Sequence, residues 1–220
     1  MGKKLSLGVL VSGSGSNLQA IIDHIEQRRL DAGIAIVISN KPDAYALKRA
    51  EKHHLPTAVI THEAFPSRKE FDLAMADMLE SHTVDLVVMA GFMRILSPHI
   101  LNRFPRRIMN IHPALLPSFP GLHVQRQALQ YGAQFSGCTV HFVDAEVDSG
   151  PVIIQAVVPV LETDTEDTLS ARILREEHRI YSQAIQWYAE GRIQIHDRRV
   201  KISSSALPDP AARYNPPLEP

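Results

Sequence analysis

An asparagine and a histidine two residues apart, Asn110 and His112, are the first groups in this 220-residue sequence with chemistry to offer. They lie in Met109-Asn110-Ile111-His112-Pro113-Ala114-Leu115-Leu116-Pro117, after the short, partly apolar Arg106-Arg107-Ile108-Met109. In extended chain, side chains alternate faces, so Asn110 and His112 point one way and Ile111 the other. Pro113 disfavours helix at His112, Pro117 and Pro120 stiffen the loop that follows, and Gly121 permits a turn. An amide placed there can donate to a developing oxyanion. An imidazole can carry a proton near neutral pH. A lone Asn-x-His also arises for purely structural reasons, so the question is what else converges on it. Asp148, in the acidic loop Asp144-Ala145-Glu146-Val147-Asp148-Ser149-Gly150, is the candidate. A carboxylate beside an imidazole favours its charged form, although Asp148 taken alone also reads as a solvated loop acid. There is no G-x-S-x-G and no catalytic-cysteine pattern. An Asn110/His112/Asp148 set would therefore suit acyl transfer by direct attack of a substrate's own nucleophile, through a tetrahedral intermediate.

A second candidate lies near the start. The apolar run 5–11 reads as a buried strand, and Ser12-Gly13-Ser14-Gly15-Ser16-Asn17 follows at once. Leu18, Ile21, Ile22 and Ile25 then recur at helical spacing, predicting a helix over 17–28. Strand, small polar loop and helix can point backbone N–H groups at an anion, a phosphate above all. The same residues also fit a tight turn with a Ser or Asn cap. The dinucleotide fingerprint is incomplete, because Leu18 stands where its third glycine belongs. The next strand, 33–39, ends in Asn40 rather than a ribose-binding acid. A phosphate on a smaller ligand fits better than NAD.

These groups need a frame. Pro42 opens a predicted helix to His53, followed by a strand over 57–60 and a helix over 67–81 with Phe71, Met75, Met78 and Leu79 on one face. A buried strand over 84–90 and a helix from Ser97-Pro98 to Arg103 lead into the strand bearing Asn110 and His112. Later elements are a helix over 125–131, strands over 137–143 and 151–160, and a long helix from Thr165 to Gly191. A hairpin over 193–202 ends the series. Repeated β-α-β units imply an α/β fold: a single doubly wound, mostly parallel sheet with helices on both faces. The second half adds an antiparallel portion. Ligands in such sheets bind beyond the strand carboxyl ends, where the Gly13–Asn17 loop, the Phe92–Leu96 loop, Asn110 and His112 should share one rim. With no repeat and no linker, residues 1–203 read as one domain and the Pro-rich 204–220 as a loose tail.

Composition narrows the classes. Lys+Arg number 23 against 24 Asp+Glu, a formal charge of -1, which gives no surface for nucleic acid. Cys138 is the only cysteine, so no internal disulfide is possible and a reducing compartment is favoured. The short basic start is no membrane or export segment. A soluble, cytoplasmic protein is expected, with no membrane partner. The 11 histidines show neither H-E-x-x-H nor C-x-x-C company, and no metal is expected.

From about Leu7 to Ile195 the chain resembles the folate-dependent formyltransferase family, and within it the phosphoribosylglycinamide formyltransferases. Ordered motifs carry the resemblance: Ser12-Gly13-Ser14-Gly15-Ser16-Asn17-Leu18-Gln19-Ala20, Ala90-Gly91-Phe92-Met93-Arg94-Ile95-Leu96-Ser97, Asn110-Ile111-His112-Pro113, Pro120-Gly121-Leu122-His123, Val140-His141-Phe142-Val143 and Asp148-Ser149-Gly150-Pro151-Val152-Ile153. Ser14 stands where relatives often carry Asn, and Ser149 where Gly or Thr is frequent. Neither change removes a reacting group. The resemblance implies transfer of a formyl group from 10-formyltetrahydrofolate, as co-substrate, to the amine of glycinamide ribonucleotide in de novo purine synthesis. Asn110, His112 and Asp148 would then be catalytic. Gly15, Ser16, Asn17 and the Leu174-Arg175-Glu176-Glu177 segment would hold the ribonucleotide. Arg68, Met93, Arg94, Ile95, Leu96, Asn110, Asp144, Ala145, Glu146, Val147 and Asp148 would surround the folate. Monomer and homodimer are both compatible.

Three rivals stand beside this reading. A formyltetrahydrofolate hydrolase would carry an extra amino-terminal domain, and the first strand begins too early for one. A methionyl-tRNA formyltransferase would need a carboxyl-terminal domain and a basic surface. A nucleotide-binding module without catalysis would have no use for Asn110, His112 and Asp148 together.

Overall fold

Leu5–Val11 (β1) is apolar on both sides because it is paired on both edges and covered on both faces. Its parallel partners are Ala32–Ser39 (β2) and Leu86–Met89 (β4). The computed structural model describes residues 3–203, so the expected tail over 204–220 lies outside the described residues. The remaining strands are Thr57–Val59 (β3), Ile108–His112 (β5), Phe135–Phe142 (β6), Val152–Pro159 (β7), Ile193–His196 (β8) and Arg199–Ile202 (β9). Together they form one nine-stranded sheet in the order β3-β2-β1-β4-β5-β6-β7-β9-β8. Pairing is parallel from β3 to β5 and antiparallel from β5 through β7. The terminal hairpin does not stand apart. It joins the sheet through Val152 opposite Arg199.

Helices cover both faces: Ser16–Glu26 (α1), Tyr45–Lys52 (α2), Arg68–Ser81 (α3), Pro98–Arg103 (α4), Val124–Tyr131 (α5) and Glu166–Ala189 (α6). Strand alternation sorts the core into two layers. Leu7, Val9, Val11, Val88, Met109 and Ile111 pack with α1 and α6. Leu10, Val87, Met89 and Ile108 pack with α3 and α4. Asn110 and His112 thus leave β5 on the side of Ile108. The Tyr181 hydroxyl of α6 reaches between the carbonyls of Met89 and Met109, 3.0 Å from each, and ties the ends of β4 and β5 from the opposite layer.

The structure departs from the expected elements in a few places. Pro42 does not open a helix. It belongs to a turn closed by Ala44 N–H on the Lys41 carbonyl at 3.4 Å, and α2 starts at Tyr45. The fixed φ of proline suits that turn as well as it suits a helix start. On α3, Met78 is only half-buried, while Asp72 is fully buried and accepts the Ser97 N–H at 2.5 Å. The α3 face therefore includes a charged residue used as a cap for α4. Among the described residues, no helix is long and apolar enough to cross a membrane.

Candidate active site

The rim beyond the strand carboxyl ends is assembled around β5. Asn110 is the register partner of His141 on β6, and His112 of Thr139. The Thr139 hydroxyl is buried; it donates to the Ala114 carbonyl at 2.7 Å and accepts the Leu116 N–H at 3.1 Å. Gln155 of β7 donates to the Leu116 carbonyl and to Thr139, both at 2.9 Å. These bonds seat the proline-stiffened loop so that the Phe119 carbonyl lies 2.9 Å from His112 Nε2.

His112 is held between two acceptors. A carbonyl only accepts, so Nε2 carries a proton and donates it to Phe119. On the other side, Nδ1 lies 3.4 Å from Asp148 Oδ2. A carboxylate also only accepts, so Nδ1 pairs with Asp148 when it carries a proton. Asp148 sits in the left-handed region at φ 52°, and its Oδ2 also accepts the Gly121 N–H at 2.9 Å. It therefore clasps the far end of the loop as well as the imidazole. Asn110 Nδ2 lies 3.2 Å from His141 Nε2, while His141 Nδ1 donates to the Phe142 carbonyl at 2.9 Å. His141 is buried, and burial pushes its pKa below the ordinary histidine value. The three residues singled out from the sequence converge, and His141 and Thr139 join them. Both were visible as polar residues two apart on one face of an otherwise apolar strand, but only the β5–β6 register shows what they touch.

At the end of β1, Gly15 adopts φ 71°, and a Cβ there would meet Ala46 at 2.6 Å, so glycine is required. No side chain among the described residues caps α1, which leaves its first amides without a side-chain acceptor. Asn17 Nδ2 donates to Glu177 Oε2 at 2.7 Å. Burial pushes the Glu177 carboxyl up, and that bond draws it back. Of the α6 segment, Glu177 alone is bonded to the loop. Arg175 bonds the Ala171 carbonyl at 3.4 Å, and Glu176 pairs with Arg179 at 3.0 Å, both along the helix itself. Leu174 is half-buried. Glu176 lines a groove of about 470 Å³ with His24, Arg29 and Ser182.

A second groove, about 270 Å³, is lined by Arg68, Met93, Arg94 and Ile95. Met93 and Ile95 are exposed, 62% and 56%, which offers an apolar surface. Leu96 is buried among the α3 and α4 side chains instead. Asp144 shapes the acidic loop by accepting from Glu146 N–H at 3.2 Å and Ser149 Oγ at 2.7 Å. Ala145, Glu146 and Val147 stand exposed between them.

A buried imidazole between two acceptors, an amide donor on the same strand face, an uncapped helix start and an apolar groove lie on one rim, an arrangement able to support acyl transfer. Residues 6–185 match the family described as formyl transferase. The phosphoribosylglycinamide formyltransferase of Escherichia coli is 44% identical over 204 residues, covering 93% of this chain and 96% of that one. The crystal structure of glycinamide ribonucleotide transformylase 1 from Symbiobacterium toebii superposes with a TM-score of 0.90 at 53% identity, over 92% of this chain and 95% of that one. A formyltetrahydrofolate deformylase from Pseudomonas syringae shares the fold at TM-score 0.86 and 26% identity, over 91% of this chain and 66% of that one. The chain belongs to the formyl transferase family.

Proposed function

We propose that this enzyme transfers the formyl group of 10-formyltetrahydrofolate to the primary amine of glycinamide ribonucleotide, in purine synthesis. The observation that carries this reading is His112, fixed between the Asp148 carboxylate and the Phe119 carbonyl with Asn110 on the same strand face. The ribonucleotide's phosphate sits on the amides of Gly15, Ser16 and Asn17, with Glu177 near its other groups. The folate lies against Arg68, Met93, Arg94 and Ile95 and under the 144–148 loop. The amine attacks the formyl carbon, forming a C–N bond and a tetrahedral oxyanion. The free N–H of Asn110 stabilises that oxyanion, and the His112 ring does so once its Nε2–H turns from the Phe119 carbonyl to the substrate. The proton lost by the amine reaches N10 of the folate by way of His112, the C–N10 bond breaks, and formylated ribonucleotide and tetrahydrofolate leave. Names of relatives such as the E. coli enzyme support this choice of acceptor.

The deformylase likeness favours a second reading, in which water takes the formyl group. Both are tested by one assay. Purified protein is given 10-formyltetrahydrofolate with and without glycinamide ribonucleotide, and tetrahydrofolate release is followed. Release that requires the ribonucleotide supports the transferase; release at the same rate without it overturns that reading in favour of the hydrolase.

A further inference from the structure

The loop that opens α1 is gripped from beneath by α2. Ala46 N–H donates to the Gly13 carbonyl at 3.0 Å, and Arg49 Nε–H donates to the Ser14 carbonyl at 2.8 Å. Two successive carbonyls are thus drawn to one side, which leaves the following amides facing the other, the concave arrangement that binds anions. The Gly15 backbone packs on Ala46 at the same point.

Arg49 is itself fixed on three sides. Its Nη1 donates to Gln19 Oε1 of α1 at 3.2 Å, and its guanidinium carbon lies 4.9 Å from the centre of the Tyr45 ring. Gln19 in turn donates to Asp23 at 2.9 Å and meets His53 Nε2 at 3.1 Å. A planar, permanently charged group is therefore locked against the loop's backbone, half-buried, and it joins the loop, α1 and α2. The first turn of α1 carries no acid of its own; the nearest carboxyl groups are Asp23, reached through Gln19, and Glu177, bonded to Asn17.

We infer that Arg49 is a positioning residue for the phosphate monoester of the substrate: it shapes the amide cradle by holding the Ser14 carbonyl, and it adds a fixed positive charge beside it. This rests on the phosphate site given under Proposed function. The test measures two quantities on the full chain: the affinity for inorganic phosphate by titration calorimetry, and steady-state KM for each substrate.

Loss of a charge-assisted bond is expected to weaken phosphate binding of Arg49→Ala by about tenfold and to raise the ribonucleotide KM by a similar factor, with the folate KM and kcat unchanged. Arg49→Lys keeps the charge but cannot hold Ser14 and Gln19 in one planar fork, so it recovers part of the loss. Lys48→Ala, which removes a neighbouring exposed cation, behaves as the parent. Phosphate affinity unchanged in Arg49→Ala, or both KM values rising together, overturns the inference. If the parent protein fails to formylate the ribonucleotide yet phosphate affinity still depends on Arg49, the functional reading falls and this one stands.

Discussion

Asn110 and His141 face each other across the antiparallel β5–β6 pair, and their side chains meet at 3.2 Å. His141 Nδ1 is committed as a donor to the Phe142 carbonyl, so Nε2 presents a lone pair. Asp148 Oδ1 also lies 3.8 Å from Nε2, but burial favours the neutral ring, and toward a neutral Nε2 the amide turns its NH2 end. One N–H goes to His141 and the other is available to the proposed substrate oxygen. His141 thus acts through Asn110. Replacing it by alanine should free the amide to rotate, lowering kcat by up to about 100-fold, the low end of what losing one oxyanion donor costs. His141→Gln, which keeps an acceptor near that position, should recover part of the rate. Steady-state kinetics on both variants checks this; a kcat equal to the parent's in His141→Ala would remove His141 from the machinery.

Asp148 has two jobs, and they can be separated. Its charge faces His112 and its Oδ2 accepts the Gly121 N–H. In Asp148→Asn the amide oxygen would remain an acceptor for Gly121, and asparagine tolerates the left-handed backbone at this position. This variant should therefore unfold at nearly the parent temperature while losing about 100-fold in kcat, in line with a lost acid–base function. His112→Ala should lose a similar factor and still bind both ligands. Because the two act as a unit, the double variant should be little slower than either single one. Multiplicative losses would show that they act independently.

Much of this site was legible because backbone rules act locally. Alternation placed Asn110 and His112 on one face, Pro113 kept them extended, and repeated β-α-β units placed the loops after β1 and β4 and the end of β5 on one rim. What was not legible depends on partners far along the chain. Glu176 and Glu177 are adjacent in sequence but about 100° apart on a helix; only the packing of α6 on α1 decides that Glu177 meets Asn17. Leu96 belongs to the same motif as Met93 and Ile95, yet it turns into the core while they turn out. Asp72 breaks the rule that charged residues avoid burial because Ser97, 25 positions later, brings its N–H to it. Asn40 follows β2 in the place of a ribose-binding acid, and its side-chain oxygen already accepts from the Ser12 hydroxyl at 2.6 Å.

Glu177 offers a pH test. It is nearly inaccessible, burial raises its carboxyl pKa, and the Oδ1 of its partner Asn17 is buried with no hydrogen-bond partner among the described residues. A raised carboxyl holds a proton in the native state that the unfolded chain has released. Its stabilising contribution is complete below the unfolded value, about 4.3, and is lost as pH rises through the raised native value. Glu177→Gln does not titrate; its oxygen still accepts from Asn17, and its NH2 can reach the orphaned Oδ1. Near neutral pH the variant should be more stable than the parent by about 1 kcal/mol. The gap should close as pH falls toward the ordinary carboxylate range. Thermal or denaturant unfolding across that range reads it, and a variant less stable than the parent near neutral pH would show that the Asn17–Glu177 bond needs the charge.

Ser12 joins the two proposed ligand regions. Its N–H donates to the Gly91 carbonyl at 3.1 Å, its hydroxyl donates to Asn40 Oδ1 at 2.6 Å, and it accepts the Met93 N–H at 2.8 Å. One buried side chain thus fixes the ends of β1, β2 and β4 together. The anion-ready loop begins at its own backbone, and the apolar groove begins at Met93. Ser12→Ala removes the hydroxyl and leaves both the Met93 N–H and the Asn40 oxygen without it, a loss of about 2–4 kcal/mol in stability if neither finds a substitute. The functional consequence should be distinctive. A residue serving one ligand changes one KM; Ser12→Ala should raise the KM for both substrates, because slack introduced at Met93 and at Gly13 arises from the same lost atom. Cooling the assay well below the variant's unfolding temperature separates this from simple loss of folded protein. An increase confined to one substrate would show that the two loops are held independently.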